Sequence, residues 1–210
     1  MRTPSINSLI MQFDGALRVL NGVGHPARPS PATPVEQQQL SEADQKIAAR
    51  LMRVNHCGEI CAQALYVGQG LTSEDPHIQK TMQQAAKEET DHLLWCEARL
   101  EELNSHKSYL NPLFYTMSFV SGAVSGLLGN RFNLGFVAAT EEQVVQHLEE
   151  HLQALPSEDH RSHAILEQMI LDEDQHRTDA LNRGGMDFPK PFKNIMTTVS
   201  KLMTRTTYWI

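Results

Sequence analysis

Apolar residues recur every three to four positions along most of this chain, the spacing that lays one stripe on a helix, and Pro and Gly clusters cut the pattern into segments. The first stripe predicts a short amphipathic helix from about Pro4 to Leu20, with Ile6, Leu9, Ile10, Phe13, Leu17 and Leu20 on one face. Gly22, Gly24, Pro26, Pro29, Pro31 and Pro34 follow as a linker, because proline neither continues a helix nor fills a sheet ladder. Ser41-Glu-Ala-Asp44 then offers an N-cap for a long helix to about Leu71, and Thr72 to Pro76 forms a turn into a second, from about His77 to Asn104. The chain restarts at Asn111-Pro112. No charged side chain lies between Lys107 and Arg131, but Ser118, Ser121, Gly122, Ser125, Gly126 and Gly129 dilute its hydrophobicity. This segment predicts an apolar helix that packs, or dips into a membrane surface, and not a span.

A third long helix covers about Asn133 to Leu155 and turns at Pro156-Ser157. The fourth covers about Glu158 to Asn182 and is stopped by Gly184-Gly185. Beyond Pro189 and Pro191, a last helix sets Ile195, Met196, Val199, Leu202 and Met203 against Lys193, Lys201 and Arg205, with Tyr208 and Trp209 at its end. Such a helix suits a membrane interface; docking on the rest of the protein is the other reading.

On these helices one pattern is stated twice. Glu59 is followed about 30 residues later by Glu89-Thr-Asp-His92, and Glu141 at nearly the same distance by Glu173-Asp-Gln-His176. A lone glutamate on one helix and a Glu-x-x-His on the next, doubled, is the ligand set of a four-helix bundle holding two iron or manganese ions. The expected fold is therefore all-α, a ferritin-like four-helix bundle over 41–210 with added apolar and amphipathic helices, preceded by the helix and linker of 1–40. Depth along the hairpins agrees. At 1.5 Å per residue, Glu59 and Glu89, about 16 and 14 residues from the first turn, reach levels within roughly 3 Å, and Glu141 and Glu173 match likewise around Pro156. Hard carboxylate oxygens with only two imidazoles suit iron or manganese over zinc, and an open, buried, redox-active pair suits oxygen activation.

Other residues have plainer readings. Glu88, Asp91, Glu142, Glu149, Glu150 and His151 fit solvated faces. Tyr66 shares a face with Glu59 and is either a core tyrosine or a radical or substrate contact; His147 either supports the site or lies on the surface; Asp172 adjoins Glu173. Cys57, Cys61 and Cys96 are an odd set that reads as small apolar residues in a reducing compartment. Arg2 precedes no apolar run long enough for a signal peptide, so export is not expected. A formal charge of −7 argues against nucleic acid as a partner, and without a Gly-x-Gly-x-x-Gly cradle, nicotinamide binding of the Rossmann kind is not expected.

The run Arg53-Val-Asn-His-Cys-Gly-Glu59 resembles the demethoxyubiquinone hydroxylase family of ubiquinone biosynthesis, whose members carry Arg-Val-x-His-x-Gly-Glu on the first bundle helix. The likeness continues through Tyr66-Val-Gly-Gln69, Lys87-Glu-Glu-Thr-Asp-His92, Leu127-Leu-Gly129, Thr140-Glu141-Glu142 and Asp172-Glu-Asp-Gln-His176, covering about residue 45 to the C-terminus. Cys57, Cys61 and Leu148 depart from the family's usual residues. The resemblance implies two iron ions bound by Glu59, Glu89, His92, Glu141, Glu173 and His176, with Glu89 and Glu173 as bridges. It further implies dioxygen as co-substrate, an unidentified electron donor, and hydroxylation of a polyprenylated demethoxyubiquinol ring. The expected setting is the cytoplasmic face of a bacterial inner membrane, peripherally bound, as a homo-oligomer with other ubiquinone-biosynthesis proteins as candidate partners. Iron storage of the ferritin kind, peroxide handling of the rubrerythrin kind, and a non-catalytic helical scaffold are the competing functions. The missing Cys-x-x-Cys module speaks against rubrerythrin, and the second Glu-x-x-His against a ferritin cage.

Overall fold

The computed structural model describes residues 6–36 and 39–210, with side chains described from Ile10 onward. Pro4 and Arg2 lie outside the described residues. Among the described residues, seven helices follow one another: α1 (Ile6–Leu20), α2 (Glu42–Thr72), α3 (Pro76–Glu102), α4 (Asn111–Leu127), α5 (Asn130–Ala154), α6 (His160–Asn182) and α7 (Lys190–Thr207). Their ends are set by local chemistry. Ser41 accepts the Asp44 amide at the start of α2, and Asp75 accepts the His77 amide at the start of α3, where Pro76 gives up no hydrogen bond.

The end of α3, at Glu102 and not Asn104, and the starts of α5 and α6 differ from the sequence expectation. α6 begins at His160, not Glu158, because Asp159 is the residue whose carboxylate accepts the Ser162 amide and the Arg99 guanidinium. α5 begins at Asn130, because Gly129 adopts φ 93°, a left-handed conformation that turns the chain at once from α4 into the next helix.

α2 pairs with α3, and α5 with α6, as two hairpins that pack into a four-helix bundle. α4 crosses α2 at unusually short range. A Cβ on Gly122 would lie 2.2 Å from the Leu65 carbonyl oxygen, and one on Gly68 would lie 2.2 Å from that of Phe119, so only glycine admits this approach. α7 lies against α2 and α5.

Besides a cluster of Ile60, Ala64, Leu93 and Tyr115 beneath α1 and α4, the core forms two apolar plugs within the bundle. One is built by Leu51 and Met52, Trp95 to Leu100, Leu148, and Ile165 to Met169; the other by Tyr66, Ile78, Met82, Leu134, Val137 and Ala180. Each draws on all four bundle helices, one toward either end, which leaves the middle turns of the bundle between them. Among the described residues, no helix is long and apolar enough to cross a membrane.

A candidate metal centre between two apolar plugs

The doubled motif converges in those middle turns. Glu59, Glu89, His92 and Glu173 are buried, and one donor atom from each lies within 4.8 Å of the others. His176 joins from α6, its Nδ1 3.1 Å from Glu173 Oε2 and 3.5 Å from Glu89 Oε1. His92 Nδ1 lies 2.9 Å from Glu173 Oε1 and 3.3 Å from Glu89 Oε2. Glu89 and Glu173 thus each turn one oxygen to His92 and the other to His176. Glu59 stands on the His92 side, 3.5 Å from its Nδ1. Glu141 is buried beside Glu173, Glu89 and His176, and accepts a hydrogen bond of 2.5 Å from the Tyr66 hydroxyl.

The outer nitrogens are held crosswise. His92 Nε2 meets Asp172 at 2.9 Å, and His176 Nε2 meets Glu88 at 2.7 Å. Asp172 immediately precedes Glu173 and Glu88 immediately precedes Glu89, so each hairpin lends a carboxylate to the other's histidine. Gln168 and Gln84, four residues earlier in each case, donate to these same carboxylates. An outer carboxylate fixes the tautomer with its proton on Nε2 and leaves Nδ1 as the inward lone pair, the state a metal requires.

Without a cation this arrangement is costly. Glu59 Oε2, both Glu89 oxygens, His92 Nδ1, Glu141 Oε2 and Glu173 Oε1 are buried with no well-aimed hydrogen bond. Burial pushes the Glu59 and Glu141 carboxyls well above the usual carboxylate range, and neighbouring glutamates add to the shift. Although burial disfavours the charged imidazoles, surrounding carboxylates hold His92 well above its ordinary value and push His176 up to about 12. The metal-free centre is therefore a protonated cluster, and divalent ions are the species its oxygen-rich donor set fits.

Two openings reach it. An apolar groove of about 350 Å³ runs between α2, α4, α5 and α7 and has Glu59 on its wall, with Leu65, Phe114, Met117, Val199 and Met203 among its apolar lining. On the other side, a cleft of about 430 Å³ ends at Tyr66, Glu88 and His176 and is rimmed by His77, Lys80 and Arg183.

Some assignments need correction. Asp91 is buried, not solvated: it accepts the Ala27 amide and the Arg28 guanidinium. His151 is also buried, paired through Nδ1 with Asn55 at 2.7 Å. Glu88 is only partly exposed and holds His176. His147 lines the groove, its ring 3.8 Å from that of His151, and Cys61 lines the groove as well. Cys57 is buried, and all three cysteines are free. Glu88 could have been found, since it occupies in one motif the position that Asp172 occupies in the other. No comparable signal marks Asn55 or Arg28.

Two antiparallel helix pairs closing on a buried carboxylate–histidine cluster define a ferritin-like bundle that can hold metal. Residues 46–207 match the family model described as Ubiquinone biosynthesis protein COQ7, and the chain belongs to that family. It is 56% identical over 203 residues to the 3-demethoxyubiquinol 3-hydroxylase of Azotobacter vinelandii, covering 96% of this chain and 94% of that one. It is 52% identical over 206 residues to the protein of the same name from Pseudomonas syringae pv. syringae, covering 98% and 96%. The Pseudomonas fluorescens protein of that name is 53% identical over the same length.

Proposed function

We propose that this chain is a 3-demethoxyubiquinol 3-hydroxylase, a monooxygenase that inserts one oxygen atom of O2 into the free ring position of a polyprenylated quinol. Glu59 and His92 would hold one iron ion, Glu141 and His176 the other, and Glu89 and Glu173 both. Bound there, the iron pair supplies the electrons with which dioxygen is activated. The second oxygen atom would leave as water, and an external donor would restore to the iron pair the two electrons so consumed.

One observation carries this reading: the apolar groove leads from the outer faces of α4 and α7 to Glu59. Leu113, Met117, Val120, Val124 and Leu127 on α4 and Leu128 just after it are exposed, as are Ile195, Val199 and Leu202 on α7. A ring on an apolar tail fits such a route, with the tail left among exposed apolar side chains at a membrane surface. The plugs above and below the centre exclude water from the reacting ring, and Asp172 and Glu88 keep both imidazoles turned inward. Lys201 and Arg205 beside the apolar face of α7 suit an anionic headgroup layer, in keeping with a peripheral place on the cytoplasmic face of a bacterial inner membrane.

The test is direct. Iron-loaded protein given a reductant, O2 and a short-chain 3-demethoxyubiquinol should yield a product one oxygen atom heavier, with the label recovered when the gas is 18O2. Glu173→Ala should abolish that product while far-UV circular dichroism stays helical, because removing one of several clustered carboxylates relieves repulsion in the metal-free state. Full activity in Glu173→Ala would refute the site.

A further inference from the structure

The two halves of the centre repeat one another closely. Gln84, Glu88, Glu89 and His92 stand at the same spacing as Gln168, Asp172, Glu173 and His176. One half has an addition from elsewhere in the chain. The proline-rich segment between α1 and α2 is no free linker: it straps the bundle directly over Asp172. The Ala27 amide donates to Asp91 Oδ1 at 2.6 Å and Arg28 Nε to Asp91 Oδ2 at 2.9 Å, while Arg28 Nη2 lies 2.8 Å from Asp172 Oδ2. The Arg28 guanidinium sits 5.0 Å from the centre of the Trp95 ring, and Trp95 Nε1 donates to the Arg28 carbonyl oxygen. Farther along the strap, Ala32 is buried in the core, and Arg161 donates to the Val35 carbonyl oxygen.

Asp172 Oδ2, the oxygen that meets His92, is therefore gripped by a guanidinium that is itself fixed by a second carboxylate and an aromatic face. Among the described contacts of Glu88, which meets His176, there is no such cation. The strap also lies outside the residues matched by the family model, which begin at 46.

We infer that Arg28 is a positioning residue of the metal centre, which locks Asp172 against His92 and so makes the His92 half hold its ion more firmly than the His176 half. This rests on the proposal that the six side chains bind two iron ions. The guanidinium limits the rotamers of Asp172, Asp172 limits the tilt of the His92 ring, and a ring that cannot tilt releases its ion slowly. Loss of such an outer partner typically weakens metal binding by about 10- to 100-fold.

The test follows iron leaving the full-length protein. Chain loaded anaerobically with two equivalents of Fe(II) is mixed with excess ferrozine, and release is followed by absorbance. Wild type should release its iron in two phases. Arg28→Gln should accelerate the slower phase by about 10-fold or more and leave the faster one unchanged, and Arg28→Lys should fall between Arg28→Gln and wild type. Glu88→Gln should accelerate only the faster phase. In an Asp172→Asn background, Arg28→Gln should add nothing, which a merely structural role of the strap would not predict. Wild-type release kinetics in Arg28→Gln, or an equal acceleration in the Asp172→Asn background, would overturn the inference. If Arg28→Gln fails to fold, Arg28→Lys decides, since release no faster than wild type sinks the idea. A wild-type chain that takes up no iron would sink this inference together with the function proposed above, whereas a failure confined to the Arg28 variants leaves that function standing.

Discussion

Tyr66 illustrates how one side chain can serve the core and the site together. It is fully packed into an apolar plug, yet its hydroxyl reaches Glu141, whose other oxygen has no hydrogen-bond partner. Burial and the nearby glutamates push the Tyr66 phenol well above its ordinary value, so it remains a proton donor to the carboxylate at any working pH. Tyr66→Phe leaves a buried carboxylate oxygen unpaired. It should cost the metal-free protein about 1–3 kcal/mol in urea unfolding, and an unchanged midpoint would show that the bond contributes nothing. Of the two readings of Tyr66 that the sequence leaves open, the core tyrosine is the one observed, with the hydroxyl at the boundary between plug and centre.

At the level of helices, what could be read in advance was what is written locally. Ser41, Pro76 and the glycines after Asn182 punctuate the chain, and the repeated Glu-x-x-His places its members on one face of each helix. Contacts made by strands of chain far apart could not be read. Arg28 reaches Asp91 and Asp172 across 63 and more residues, and nothing in a Pro-rich stretch distinguishes a strap from a tether. The exposure of α7 was equally undecidable from its periodicity, which a docked helix and an interfacial helix share. In the folded chain α7 is docked through one face, with Thr207 buried against Cys57, while Ile195, Val199 and Leu202 stay exposed. Because Leu202 is 66% exposed, Leu202→Asp should move the thermal midpoint by no more than surface substitutions do, within about 0.5 kcal/mol, yet lower binding to anionic lipid vesicles in a flotation assay. Unaltered vesicle binding would argue against α7 as a membrane-facing element.

For the molecule as a whole, acid is the revealing variable. Burial holds His56 down to about 3, His147 to about 4 and His151 to about 2, so all three are neutral in the folded chain. In the unfolded chain they take up a proton near pH 6.5. The unfolded state therefore binds more protons below that pH; the stabilisation is complete above about pH 6.5 and is lost as pH falls, at about 1.4 kcal/mol per pH unit for each histidine. The metal-free ligands run the other way, because His176, raised to about 12, contributes most below pH 6.5 and loses that contribution as pH rises. Comparing metal-free wild type with His151→Gln cancels this opposing titration. The stability of wild type relative to that variant should fall by about 1 kcal/mol between pH 6.5 and 5.5 and stay flat above about pH 7.5; a difference independent of pH would mean that His151 is not held neutral.

The crosswise loan of carboxylates also fixes when the centre can come into being. Asp172 follows His92 by 80 residues, and Glu88 precedes His176 by 88. As the chain leaves the ribosome, the first hairpin emerges with its histidine unsupported and half its donors still unmade, and the second cannot complete its own half without reaching back. A metal ion thus has no finished berth during synthesis, and loading must await the closing of one hairpin upon the other.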